Sequence, residues 1–249
     1  MLQKDGATPL YLQLKEEIQR HIEEGVYPEG TAIPSERELC QSYGVSRITV
    51  RQAIAQAVAE GILFTRQGKG TYVTKRKIDQ SLERITGFDR TIAGHGLLPV
   101  TSLVEVRRAT ANDEAASGLG LDRGAPVVKM VLLGMADSEP MALYTSYFTP
   151  EVGMAVAEKA VELSRERKPF TSFDLYKLAG VVRPVRAKQA FEAALATGAV
   201  ARLLKLRGPA AVFVVTSTVE ASDGTPVEYR VVHYRSDRYK FSVTREVTD

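Results

Sequence analysis

A pair of closely spaced helix starts constrains this sequence more tightly than anything else in it. Ser35-Glu36-Arg37-Glu38 has the form of a capping box, in which the serine hydroxyl accepts the amide three residues on and the glutamate reaches back. A short helix over 36–43 follows, and Gly44 supplies the left-handed residue that stops it. Ser46 caps the next helix, with Val45 and Val50 spaced as a hydrophobic staple and Val50, Ile54, Ala57 and Gly61 on the inner face. An amphipathic helix over 9–24 precedes both, carried by Leu10, Leu14, Ile18 and Ile22 with Tyr11 beside them. Gly25 ends it, and Pro28 and Gly30 fall in the following turn. Two helices joined by a short glycine turn make a helix-turn-helix, whose second helix enters the DNA major groove. Arg47 and Arg51 fall one turn apart at the start of that helix and off its core face, placed for base edges and phosphates. Ile48 is apolar yet off the core stripe, which suits contact with a thymine methyl group.

After Gly61, the runs 62–66 and 71–74 are strand-like, and Gln67-Gly68-Lys69-Gly70 joins them as a tight basic hairpin. Directly behind a recognition helix, such a hairpin reads as a wing that reaches the backbone or the minor groove. Because a strand-like run and not a helix follows Gly68-Lys69-Gly70, a phosphate-cradling nucleotide loop is disfavoured. Charge supports the DNA reading. The whole chain carries a net charge of only +3, yet 44–77 holds Arg47, Arg51, Arg66, Lys69, Lys75, Arg76 and Lys77 against the single acid Glu60.

The run from Pro9 to Val73 resembles the GntR-type winged-helix DNA-binding domain almost throughout. The matching pieces are Pro9-Leu10-Tyr11, Pro34-Ser35-Glu36-Arg37-Glu38-Leu39, Gly44-Val45-Ser46-Arg47, Thr49-Val50-Arg51 and Gly68-Lys69-Gly70-Thr71. The resemblance implies that Arg37, Arg47, Thr49 and Arg51, with the wing-tip glycine, hold an operator. Adding the helix caps and the neighbouring exposed positions, the expected DNA-binding set is Ser35, Arg37, Ser46, Arg47, Ile48, Thr49, Arg51, Gln67, Gly68 and Lys69. Cys40, the one cysteine, stands where a small buried residue is usual, and packing is its expected role.

With 249 residues the chain has room for a second core. The charged stretch 75–84 reads as a linker, so the expected division is a DNA-binding domain over 1–74 and a second domain over 85–249. There the strand-like runs are 102–106, 127–133 and 211–219, with helices expected over 152–167 and 186–206. Arg165-Glu166-Arg167-Lys168 reads as a solvated helix end. A weak internal repeat recurs about 85 positions later. Leu119-Gly120-Leu121, Pro126-Val127-Val128, Ala136-Asp137-Ser138-Glu139-Pro140 and Tyr147-Phe148 return as Leu204-Lys205-Leu206, Ala211-Val212-Phe213, Ser222-Asp223-Gly224-Thr225-Pro226 and His233-Tyr234. Each copy reads as a helix end feeding a β-hairpin, and two copies can pair into one antiparallel sheet with helices on a face. The junction between similar halves is a natural ligand cleft.

This half resembles the UTRA sensor domain of the HutC branch of GntR-type regulators. The residues that carry the likeness are Thr86-Gly87-Phe88, Ala136 to Pro140, Tyr144-Thr145-Ser146-Tyr147, Ser172-Phe173-Asp174, Gly224 to Glu228 and Tyr234 to Phe241. It implies an α/β domain with a mainly antiparallel sheet that dimerises and binds a small effector, so the expected fold class is α+β, a winged helix-turn-helix followed by that domain. Carried over residue by residue, Phe88, Tyr144, Ser172, Asp174, Glu228 and Tyr234 should face the effector, with Glu228 as polar anchor for an amine or hydroxyl. Sugar-phosphate sensors of this branch carry two arginines at the positions of Leu132 and Gly134, and many carry an acid at Tyr144. A phosphosugar effector is therefore disfavoured.

An enzyme needs a convergent acid, base or nucleophile. His21, His95 and His233 are scattered without metal-ligand spacing, so no catalytic residue, metal or cofactor is expected. No apolar run is long enough to cross a bilayer, and the start MLQKDGATPL lacks a signal-peptide core, which with one cysteine points to the cytoplasm. The resulting expectation is a homodimeric bacterial repressor that binds a palindromic double-stranded operator and is released by an effector. A second half that only dimerises, or is a degenerate enzyme, is the alternative.

Overall fold

The caps determine where the first helices begin. In the computed structural model, which describes residues 2, 8–75, 77–166 and 170–246, Ser35 Oγ accepts the Glu38 amide while the Glu38 carboxylate accepts the Ser35 N–H at 2.8 Å. Helix α2 (Glu36–Tyr43) starts there and ends at Gly44, whose φ of 63° only glycine adopts at little cost. Ser46 Oγ takes the Thr49 amide at 3.2 Å and opens α3 (Arg47–Ala59). With α1 (Leu10–Glu23), these helices enclose a core of Leu14, Ile18, Leu39, Val50, Ala53 and Ala57. The antiparallel hairpin β1 (Leu63–Arg66) and β2 (Gly70–Val73) closes it through Leu63 and Val73. The stretch 30–33 runs beside β2, with Ile33 N–H donating to Thr71 O and Val73 N–H to Thr31 O, both at 2.9 Å.

The chain divides into this unit, Met1–Arg76, and a second, Lys77–Asp249. The second is built on a six-stranded antiparallel sheet ordered β4 (Pro99–Thr110), β5 (Pro126–Ala136), β6 (Glu139–Phe148), β9 (Pro226–Arg235), β8 (Ala211–Ala221) and β7 (Pro184–Leu195). Asp137 and Ser138, both at positive φ, form the two-residue turn from β5 to β6. Helices α5 (Asp113–Leu119) and α8 (Gly198–Leu203) sit between the first two strands of each half. The two halves are thus β4-α5-β5-β6 and β7-α8-β8-β9, joined edge to edge where β6 pairs with β9.

One sheet face carries α4 (Phe88–Gly94), α6 (Pro150–Arg165) and α7 (Ser172–Ala179), and packs Met130, Phe148, Val156, Leu175 and Tyr176 together. Gly153 lets α6 lie directly on Val128 and Phe148, since a Cβ there would collide with both. The opposite face holds α5 against Tyr229 and α8 against Val131, Leu143 and Val212. Helices therefore cover both faces, where the repeat alone suggests one. A short parallel pair, β3 (Ile78–Ser81) with β10 (Tyr239–Ser242), lies beside the first face.

Two expectations are corrected. The span 186–206 is not one helix: its first part is β7, paired with β8 from Pro184 to Leu195, and only Gly198–Leu203 is helical. Alanine, lysine, glutamine and glutamate favour a helix by only a few tenths of a kcal/mol per residue. A full-length ladder with β8 satisfies backbone groups along twelve residues, and the ladder wins. The charged stretch 75–84 is not wholly a linker, because Ile78 is buried and 78–81 pairs with β10. Arg76, Arg167 and Lys168, which entered the readings of the basic segment, the linker and the helix end at 165–168, lie outside the described residues.

Candidate nucleic-acid interface and ligand cavity

In the first unit the inner face of α3 is fixed by Val50, Ala53 and Ala57, which turns its first residues outward. Arg47 and Arg51 are exposed, and Ile48 is 72% exposed although it is branched and apolar. Arg51 Nε donates to both carboxylate oxygens of Glu36, at 3.0 and 3.2 Å, so the first residue of α2 aims this arginine. Ser35 and Ser46 are engaged as helix caps, and the Thr49 hydroxyl lies 2.9 Å from Ser46 Oγ. Both serines therefore mark helix N-termini, where backbone amides and the helix dipole favour a phosphate. Arg37 is exposed on α2.

The hairpin has its own bracing. The Arg66 guanidinium lies 5.3 Å from the Phe64 ring centre and 5.0 Å from that of Tyr72, and the two rings stack at 5.6 Å. Tyr72 donates its hydroxyl to Lys69 O at 3.2 Å. Gln67, Gly68 and Lys69 are left exposed at the tip, with Gly68 at φ 70°.

In the second unit a cavity of about 60 Å³ opens over the seam between the halves. Tyr144 and Ser146 of β6 and Arg230 and Tyr234 of β9 form its floor. Phe170 to Phe173, at the start of α7, make one wall, and Gln80 through Phe88 contributes most of another. Gln189 and Phe191 of β7 and Phe241 of β10 complete it. Aromatic edges meet across the floor, Phe88 on Tyr144 and Tyr144 on Tyr234, each at 6.1 Å. Burial pushes the phenols of Tyr144 and Tyr234 above their ordinary value, so both stay neutral donors.

Of the six residues expected at the effector, Phe88, Tyr144, Ser172 and Tyr234 line the cavity; Asp174 and Glu228 do not. Asp174 is used in a capping box, accepting the Thr171 amide at 2.8 Å and its hydroxyl at 2.7 Å. Glu228 is fully buried behind the floor, accepting from Ser146 Oγ at 2.6 Å and from the Tyr176 hydroxyl at 3.0 Å. Burial, and after it that carboxylate, push the Tyr176 phenol far above its ordinary range. The polar group the sequence reading missed is Arg230, two residues along the same strand face as Glu228, and that spacing was the available signal. Leu132 also lines the cavity, while the place an arginine would need at Gly134 is taken by Phe88, whose ring would stand 2.9 Å from an added Cβ.

Among the described residues no cluster of His, Cys, Asp or Glu could hold a metal, and no helix is long and apolar enough to cross a membrane. Burial lowers the His233 pKa on the opposite sheet face, and His95 bridges Thr91 O and the Asp79 amide.

A model of bacterial regulatory proteins of the gntR family matches residues 10–73, and a model of the UTRA domain matches residues 94–240. The chain is 30% identical over 240 residues to the HTH-type transcriptional repressor NagR of Bacillus subtilis, spanning 96% of each chain. It is 32% identical over 240 residues to the HTH-type transcriptional regulator Rv0792c of Mycobacterium tuberculosis, spanning 96% of this chain and 87% of that one. The crystal structure of PhnF from Mycobacterium smegmatis overlays on it with a TM-score of 0.63 at 25% identity, over 94% of this chain and 100% of PhnF.

Proposed function

The chain belongs to the GntR family of bacterial regulatory proteins and carries a UTRA domain, and from that premise we propose that it is a homodimeric repressor released from a palindromic operator by a small effector. It is a DNA-binding transcription regulator and not an enzyme. The observation that carries the operator reading is the exposed Ile48 between Arg47 and Arg51 on a helix whose other face is core. An apolar residue so exposed on a well-packed helix serves contact with a base methyl, and its arginine neighbours serve base edges and phosphates. Arg37, Thr49, the caps Ser35 and Ser46 and the tip Gln67-Gly68-Lys69 complete the DNA-binding set.

The effector reading rests on the cavity, with Phe88, Tyr144, Ser172 and Tyr234 in contact and Glu228 and Asp174 acting from behind. Leu132 and the filled space at Gly134 argue against a phosphosugar. Dimerisation is supported by β7, a twelve-residue edge strand exposed nearly throughout, with Leu195 65% exposed. Such an edge offers unpaired backbone groups to a second copy, and a two-fold dimer matches a two-fold operator. The cytoplasm is where such a regulator meets its DNA. Effector binding weakens operator affinity by as much as it prefers one state of the dimer, typically about 1–3 kcal/mol.

The test is a mobility shift of the DNA upstream of the protein's own gene, with and without a panel of metabolites. A shift relieved by one compound supports both parts. A shift that no compound relieves removes the effector from the reading, and no shift on that or any genomically selected DNA removes the operator.

A further inference from the structure

Arg230 is a buried cation with unfinished hydrogen bonding. Only 6% of it is exposed, its Nη1 donates to Ser172 Oγ at 2.7 Å, and the Glu228 carboxylate stands 3.9 Å from the same nitrogen. Its Nε is buried and has no partner. A donor in that condition forfeits its hydration with nothing in return, which buried groups of natural proteins seldom do without a ligand or function. Burial works against the charge, but Glu228 and the nearby tyrosines hold the guanidinium above its ordinary pKa, so it is a permanent cation.

Its surroundings narrow what could complete it. The Phe173 ring centre lies 5.7 Å from the guanidinium carbon, and Ser172 and Phe173 are the first residues of α7, where amides lack partners within the helix. Arg84, on an exposed stretch, is the only other cation among the described residues that line the cavity. Glu228 offsets part of the Arg230 charge, which leaves too little for a dianionic phosphate. The Nε edge of one guanidinium matches one planar carboxylate. The other walls are aromatic, suited to a flat apolar body.

We infer that the effector is a small monocarboxylic acid with a flat apolar body, its carboxylate held by Arg230 and the α7 N-terminus and its body set among Phe88, Tyr144, Phe173 and Tyr234. The inference rests on the reading of this cavity as the effector site. It makes Arg230, rather than arginines on β5, the residue that selects the ligand.

Benzoate, phenylacetate, benzyl alcohol, inorganic phosphate and glucose 6-phosphate are titrated into the full chain, with binding read by calorimetry and by melting temperature. At least one acid binds, and the alcohol and both phosphates bind about 10-fold or more weakly. Arg230→Met weakens the acid about 10- to 100-fold and closes the gap to the alcohol, and Arg230→Lys recovers part of the loss. If Arg230→Met does not fold, Glu228→Gln with Arg230→Met removes both buried charges and gives the same readout. The inference is overturned if neither acid binds, if either phosphate binds as well as the acids, or if the acids bind the variants undiminished. Acid binding that leaves a shifted operator in place keeps the inference and removes the regulatory reading. Operator binding with no acid bound does the reverse.

Discussion

Replacing Arg51 with alanine separates what the recognition helix needs for folding from what it needs for DNA. The Arg51 side chain is 65% exposed and that of its partner Glu36 39%, with Nε 3.0 Å from the carboxylate. An exposed pair of this kind contributes roughly 0–1 kcal/mol. Alanine is also the better helix former, which offsets part of that loss. The net effect on folding should stay within about 0.5 kcal/mol, a change in melting temperature below about 4 °C for a domain of this size. Binding should respond differently. A bidentate arginine-to-base contact carries about 1–3 kcal/mol of discrimination, so affinity for a selected operator should fall about 5- to 150-fold. Fluorescence anisotropy on the operator and on a random duplex, from about 50 to 200 mM salt, reads both terms. If Arg51 reads a base, the operator loses more than the random duplex; if it grips a phosphate, both lose alike and the salt slope drops by about one ion. Retained operator affinity would refute the assignment, and a loss of several degrees in melting temperature would refute the account of Arg51 as an exposed, weakly coupled side chain.

Ser46→Ala removes the acceptor of the Thr49 amide at the head of α3 and should destabilise the first unit by about 1 kcal/mol, seen as a melting temperature lowered by about 4–8 °C. Gly134→Ala forces the Phe88 ring to move and should cost about 1–3 kcal/mol in denaturant unfolding, with Phe88→Leu in the same chain relieving part of it; an unchanged midpoint would mean the ring yields freely. Tyr144, Tyr176, Tyr234 and Tyr239 all have phenol pKa values raised chiefly by burial. The folded state resists their ionisation, so the stability they confer is complete below about pH 10 and falls above it by about 1.4 kcal/mol per pH unit for each. Alkaline titration should therefore show a cooperative rise in tyrosinate absorbance together with unfolding, and a gradual rise with the fold intact would contradict it. Leu195→Lys places a charge on the exposed edge of β7 and should shift sedimentation toward monomer if that edge joins two copies.

The first unit was nearly all legible because its signals are local. Each cap, glycine stop and staple acts within four residues, and α2 begins and ends as its capping box and Gly44 require. The second unit depends on partners far along the chain, and there the local signal misled. The stretch 186–195 has a helical composition and becomes a strand because β8 lies beside it. The repeat could have corrected this, since β4 and β7 are displaced by the same spacing that relates their hairpins. Had the copies been extended toward their N-terminal ends, the strand-like run in β4 would have marked its counterpart. In the cavity, identity was easier to read than reach: Phe88, Tyr144, Ser172 and Tyr234 arrive there, whereas Asp174 is consumed by a cap and Glu228 by Ser146 and Tyr176. Whether a carboxylate faces a ligand or braces the wall behind it depends on its hydrogen-bond partners, and residue type does not reveal them.

The short pair of β3 and β10 is the first regular structure the chain forms after leaving the DNA-binding unit. Four positions of register hold it, with Asp79 tied to Lys240 at 2.9 Å and to Ser242 at 2.7 Å. Gln80 and Ser81 at the end of β3 and Phe241 of β10 also border the cavity. The two short strands that moor the start of the second unit therefore also supply part of the cavity wall. Under the effector role proposed above, a guest has no need to bend the broad sheet to act on the start of the second unit. It has only to tighten or loosen a pairing of four residues with four.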